Sequence, residues 1–396
     1  MTTAGFIKRM RLLAAGLMIS AATGGCSHWW QLPDDKPPAP GHPASPPSHE
    51  PTVQFGYKAA GNANDPGEVN VFGEMRGGLK PGPVRTVSEA NFQQHTYIDE
   101  GYDADVTCDP TGKWIAFAST RDSEHTNLYM QRTDGTAVVQ LSSDTADDAY
   151  PAFSPDGKQI AFASTRAGNW QIFVMDSDGK NVTQVTTGPT QAIHPSWSPD
   201  GKRIVYSTLG SKSQQWELWI YNLETNEKRM IGYGLFPAWG PSGDVERIAF
   251  QRPRQRGSRW FSLWTLELVN GEARRVTEVA VSSNAALLSP TWSPDGKRLA
   301  FATVMEPNKD LPQHSKGRTD IWSVNADGTE RQRLTDGTGT NLMPYWGPEN
   351  RVYFISDRGG AECVWSVRAE PGKVFFAQEK KTPAKEQEAN TKEPEH

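Results

Sequence analysis

The stretch Tyr150–Thr187, YPAFSPDGKQIAFASTRAGNWQIFVMDSDGKNVTQVTT, holds four short apolar runs separated by turn residues. Pro151-Ala152-Phe153 ends at Ser154-Pro155-Asp156-Gly157, where proline presets φ for a turn and glycine supplies the positive φ that other residues avoid. Ile160–Ala163, Ile172–Met175 and Val182–Thr186 follow, parted by Arg166–Asn169 and by Asp176–Gly179. Runs this short do not make helices, and they predict a four-stranded antiparallel meander.

Copies of this unit recur along the chain. Ile115-Ala116-Phe117, Ile160-Ala161-Phe162, Ile204-Val205-Tyr206, Ile248-Ala249-Phe250, Leu299-Ala300-Phe301 and Val352-Tyr353-Phe354 take the same place as the second strand. The turn prolines ahead of them, Pro110, Pro155, Pro199, Pro241, Pro294 and Pro348, are spaced by 45, 44, 42, 53 and 54 residues. A period near 45 with four strands per unit predicts an all-β fold, a β-propeller of four-stranded antiparallel blades. Neighbouring blades cover both faces of each strand, which is why the runs read Ile-Ala-Phe instead of alternating apolar and polar.

The pattern P-x-[WF]-S-P-D-G-K-x-I-A-F-x-S-x-R stands at Pro151–Arg166 and returns as PSWSPDGKRIVYST from Pro195 and PTWSPDGKRLAFAT from Pro290. It resembles the WD-like propeller repeat of the TolB family, over roughly residues 105–370. The resemblance implies a periplasmic propeller that holds a protein partner. The same repeat also occurs in propeller domains of prolyl-oligopeptidase-type peptidases and of some lyases, so it speaks more strongly for fold than for function. Family members of the TolB type carry an N-terminal α/β domain. Only about 50 residues lie between the proline-rich linker that follows the export-type start and the repeats, too few for such a domain.

That start has Lys8, Arg9 and Arg11 ahead of an apolar run, Leu12–Ala22, too short to span a bilayer. Ala22-Thr23-Gly24-Gly25-Cys26 resembles a bacterial lipoprotein signal over residues 1–25, with Cys26 as the lipidated residue and Thr23 where leucine is usual. The alternative is an ordinary secretory signal. Ser27 resembles the residue that directs lipoproteins to the outer membrane. Residues 26–51 form a proline-rich linker, with eight prolines from 31 to 51, and 379–396 form a polar tail expected to be disordered.

Residues 52–378 are assigned to the propeller, six blades being preferred over seven. In the six-blade reading Val84–Ser88 completes the last blade. In the seven-blade reading Lys373–Ala377 does so, and residues 52–88 make a partial extra blade. The net charge of −5 argues against a nucleic-acid protein. Cys108 and Cys363 fall at different strand positions of different blades, so both read as buried thiols without a disulfide.

Catalytic chemistry is hard to place. The residues at the starts of the inner strands, Asp105, Tyr150, His194, Phe236, Ser289 and Met343, should line the central channel. One Asp and one His make neither a metal ring nor a triad, and no cofactor or metal is expected. His194 at the channel mouth is the one candidate ligand or base, beside the plainer reading of a channel-lining polar residue. Asp156, Asp200 and Asp295 read as turn residues.

The copies diverge most in two long loops between second and third strands. One is Arg252-Pro253-Arg254-Gln255-Arg256-Gly257-Ser258-Arg259-Trp260; the other runs from Met305 to Arg318. Arg252, Arg254, Arg256, Arg259 and Trp260 are of the types that anchor protein interfaces and suit an acidic partner. The expected function is therefore a non-catalytic, lipid-anchored envelope scaffold for an acidic or peptidoglycan-associated protein. The alternatives are a peptidase- or lyase-like enzyme and a cell-wall glycan-binding module.

Overall fold

The computed structural model describes residues 92–253, 261–282, 285–305 and 319–369, all in one compact unit. They form six four-stranded antiparallel sheets, the blades of a propeller. Blade one is β2 (Asp103–Cys108), β3 (Trp114–Ser119), β4 (Asn127–Arg132) and β5 (Val138–Gln140). Blade two is β6 (Asp148–Phe153), β7 (Gln159–Ser164), β8 (Gln171–Asp176) and β9 (Thr183–Gln184). Blade three is β10 (Ala192–Trp197), β11 (Arg203–Leu209), β12 (Trp216–Asn222) and β13 (Lys228–Tyr233). Blade four is β14 (Leu235–Trp239), β15 (Glu246–Pro253), β16 (Phe261–Val269) and β17 (Glu272–Ala280). Blade five is β18 (Ala285–Trp292), β19 (Arg298–Met305), β20 (Thr319–Asn325) and β21 (Gln332–Arg333).

Blade six differs in origin. Its inner three strands are β22 (Asn341–Trp346), β23 (Arg351–Ser356) and β24 (Cys363–Arg368), and its outer strand is β1 (Phe92–Gln94), from the other end of the described chain. This corrects the expected closure: Phe92 pairs with Val367 and Gln94 with Trp365, in place of Val84–Ser88 or Lys373–Ala377, which lie outside the described residues. The reason is the packing that follows the strand. Phe92 lies edge-on to Phe354 at 6.3 Å. The backbone N–H of His95 donates to Val364 O at 2.9 Å. Thr96 Oγ1 accepts from Val364 N at 2.8 Å and donates to Asp103 of blade one. Gln131 Nε2 of blade one donates to His95 O at 2.6 Å. Residues 92–96 thus bond blade six and blade one at once.

The core lies between blades. Phe117, Phe162, Phe250, Phe301 and Phe354 of the second strands are fully buried, and the apolar clusters join neighbouring blades in pairs. Burying one such ring contributes about 1.5–3 kcal/mol, which the Ile-Ala-Phe pattern repeats around the ring. The Ser-Pro-Asp-Gly turns are structural, as their chemistry suggested. Ser154 Oγ donates to Asp156 at 2.6 Å and accepts from Gln159 N at 3.0 Å. The Ser154 hydroxyl and the Lys158 backbone N–H hold the Asp156 carboxyl below the usual carboxylate range. Cys108 and Cys363 are buried, unbridged thiols.

Candidate functional site

Each inner strand is interrupted at one place. The register shifts between Ala104 and Thr107, Ala149 and Ala152, Ile193 and Ser196, Leu235 and Ala238, Leu288 and Thr291, and Leu342 and Tyr345. In every bulge one residue adopts left-handed backbone: Asp105, Tyr150, His194, Phe236, Ser289 and Met343, with φ between 51 and 56°. In five of the six a proline follows, which cannot donate to a ladder and so suits a bulge. Tyr, Phe and Met rarely adopt this conformation, which costs on the order of 1–3 kcal/mol per residue. The six residues turn toward the axis and form a ring.

A cavity of about 520 Å³ runs from this ring to the turn prolines, and no residue of the inner strands ahead of the ring lines it. Its walls are Cys108, Phe153, Trp197, Trp239, Trp292 and Trp346 from the ends of the inner strands. Its rim is the six turn prolines. At the inner end the rings of three consecutive blades meet. His194 stacks on Phe236 at 3.6 Å, Tyr150 lies edge-on to His194 at 4.2 Å, and Tyr150 and Phe236 are 6.4 Å apart.

Burial governs the chemistry here. It pushes the His194 imidazole down to about 3, so the ring is neutral at physiological pH, and neither nitrogen has a hydrogen-bond partner. It pushes the Asp105 carboxyl up to about 7, with the backbone N–H of Tyr150 pulling the other way. Tyr150 is held well above its usual value. Asp105 N donates to Met343 Sδ at 3.4 Å, so the ring residues also bond one another across blades. No group of three or more His, Cys, Asp or Glu among the described residues could hold a metal.

The structure moves one expected residue and separates others. His194 belongs to the inner end of the cavity and not to the channel mouth. Arg252 ends up on β15, 5.5 Å over the Trp264 ring and partly buried, which lowers its pKa. It serves its own blade's sheet. Arg254, Arg256, Arg259, Trp260 and Cys26 lie outside the described residues. The segments 254–260 and 306–318 join the second and third strands of blades four and five, the ends of those strands away from the turn prolines. The Trp and Pro walls of the cavity were visible as repeat residues, but nothing in the sequence separates a residue that pads a blade interface from one that lines the axis.

The family model described as the TolB beta propeller domain matches residues 100–243 and 172–306, together just over half of the chain. A Tol-Pal system protein TolB from Alcanivorax borkumensis is 31% identical over 88 residues, 22% of this chain and 18% of that protein. A dipeptidyl-peptidase 5 from Porphyromonas endodontalis is 37% identical over 54 residues, 14% of this chain and 7% of that protein. The chain thus spans less than a fifth of the length of these curated relatives. Among solved structures, a putative TolB from Agrobacterium tumefaciens superposes with a TM-score of 0.50 at 20% identity, covering 67% of this chain and 90% of that one.

Proposed function

The chain belongs to the TolB β-propeller family, and on that premise we propose that it is a non-catalytic binding protein of the bacterial cell envelope. The observation that carries this reading is the axial cavity. Its proline rim and tryptophan walls are the surface chemistry that takes up apolar segments of a partner chain. The Tol-Pal relative supports an envelope protein as that partner. The export-type start supports a periplasmic location, with Cys26 as a lipid anchor to the outer membrane. Arg254, Arg256 and Arg259, between the second and third strands of blade four, are a second contact suited to an acidic patch of the same partner.

The test is crosslinking and pull-down from envelope extracts. Ala152→Trp, which fills the cavity from β6, should lose the partner while the circular dichroism spectrum stays that of the parent. If Ala152→Trp captures the partner normally and a triple change of Arg254, Arg256 and Arg259 to Ala does not, the partner sits on the basic segment alone. Unchanged capture by both variants overturns the binding reading. Membrane release of Cys26→Ala, followed by fractionation, checks the anchor, and retention in the membrane overturns it.

A further inference from the structure

We propose that Asp105 anchors a cation site at the inner end of the axial cavity, and that its ligand is the alkylammonium group of a lysine on a narrow segment of the partner. This rests on the cavity being the partner-binding site, and it assigns the chemistry of the cavity floor.

Four other carboxylates are buried among the described residues; Asp109 is held by the Thr111 hydroxyl and the Trp114 backbone N–H, and the other three hold an arginine. Asp103 holds Arg121 at 2.8 Å, Asp148 holds Arg166 at 3.0 Å, and Asp320 holds Arg333 at 3.0 Å. Asp105 has no cation among the described residues. The backbone N–H of Tyr150 favours its charged form, and its ring neighbours Tyr150 and Met343 carry no positive charge. His194 farther round the ring is neutral. A carboxylate without a counter-ion in such a place is costly, and it is retained here on the lining of an open cavity.

The surroundings narrow the ligand. Aromatic faces and prolines favour an apolar stem that ends in a positive charge. One side of the carboxyl is engaged by the Tyr150 amide, which disfavours the two-point pairing that guanidinium prefers and suits a compact ammonium. From Asp105 the strand runs three residues further to Cys108, roughly 10 Å at strand rise and longer than a lysine stem, before the turn that carries Pro110. The partner must therefore insert a slender segment instead of resting on the rim.

Asp105→Asn tests this in the full-length chain. Asn keeps an acceptor for the Tyr150 amide and tolerates the left-handed backbone, so the fold is retained. Tryptophan fluorescence titrations at pH 8 use n-butylammonium, acetyl-lysine methylamide and the neutral 1-pentanol as probes. The two amines should bind the parent and lose at least tenfold in Asp105→Asn, while 1-pentanol responds equally to both proteins. Amine binding that survives the substitution, or 1-pentanol binding as tightly as the amines, overturns the site. The pull-down separates this inference from the cavity reading. Capture lost in both Asp105→Asn and Ala152→Trp supports the lysine ligand. Capture kept by Asp105→Asn but lost by Ala152→Trp overturns the lysine assignment and leaves the cavity reading intact.

Discussion

The two halves of the ring are held together differently. In blades six, one and two, a polar residue at the start of the inner strand meets an arginine from the loop after the second strand. Asp103 meets Arg121, Asp148 meets Arg166, and Asn341 accepts from Arg358 at 3.1 Å. Each arginine also bonds a serine of its own second strand and lies on aromatic rings. Arg166 is 5.2 Å from Phe162 and 5.1 Å from Phe173. Blades three and five have Ala192 and Leu287 at the acid's place, and Gly210 and Met305 at the arginine's. There the arginine comes from the other end of the second strand and lies on the tryptophan of the next blade. Arg203 is 4.9 Å over Trp239, Arg247 4.8 Å over Trp292, and Arg298 5.6 Å over Trp346. One half is locked within blades at the long-loop end, the other between blades at the turn end. Blades four and five also have longer second strands, of 8 residues against 6 in blades one, two and six, and carry the segments 254–260 and 306–318. The half without locks at the start of its inner strands is the half that carries these two segments, and blade five keeps its own buried pair, Asp320 with Arg333.

The sharpest way to break this contrast is Arg166→Ala. It strands Asp148, a fully buried carboxylate whose pKa burial already raises, and should cost about 3–5 kcal/mol in urea unfolding. Asp148→Asn added to it should recover part of the loss. In the other half, Arg203→Ala removes a ring contact and a half-exposed ion pair with Glu246, and should cost only about 1 kcal/mol. Equal losses would erase the difference between the halves.

Acid should open the locked half at its seam. His95 is buried against Ser366, and burial, with the Arg351 charge second, holds its imidazole down to about 4, against 6.5 when exposed. A depressed imidazole leaves stability intact above pH 6.5 and removes it as pH falls toward 4, by up to roughly 3 kcal/mol. Melting temperatures of His95→Asn should lack that acid limb. Asp105 gives the opposite slope. Its raised carboxyl, at about 7, makes stability fall as pH rises from about 4 to 7, and Asp105→Asn should flatten this limb. The two slopes oppose each other in the parent, so each is read from its variant: a His95→Asn or Asp105→Asn profile that runs parallel to the parent's from pH 4 to 7 would contradict that residue's assignment.

The smallest effect sharpens the reading of the thiols. Burial pushes the Cys108 thiol up to about 12, so it should react with maleimide only on unfolding. Cys108 lines the axial cavity at 1% exposure, and fast labelling of the folded protein would contradict that burial.

The sequence by itself determined the blades. Ser-Pro-Asp-Gly and Ile-Ala-Phe are local signals: a turn needs its own four residues, and a doubly covered strand shows its burial in composition. The number of copies followed, and so did the separation of Cys108 from Cys363. Tertiary structure decided what closes the ring, because Phe92–Gln94 is three residues without periodicity and earns its place only through Val364, Asp103 and Gln131, all distant in sequence. It also decided the site. Asp105, Asp103 and Asp148 are alike as letters, and the sequence cannot say which of them has an arginine. Whether a buried charge is paired depends on strands folded from elsewhere, and so Asp105, left without an arginine on the cavity lining, became visible only when the six inner strands met around the axis.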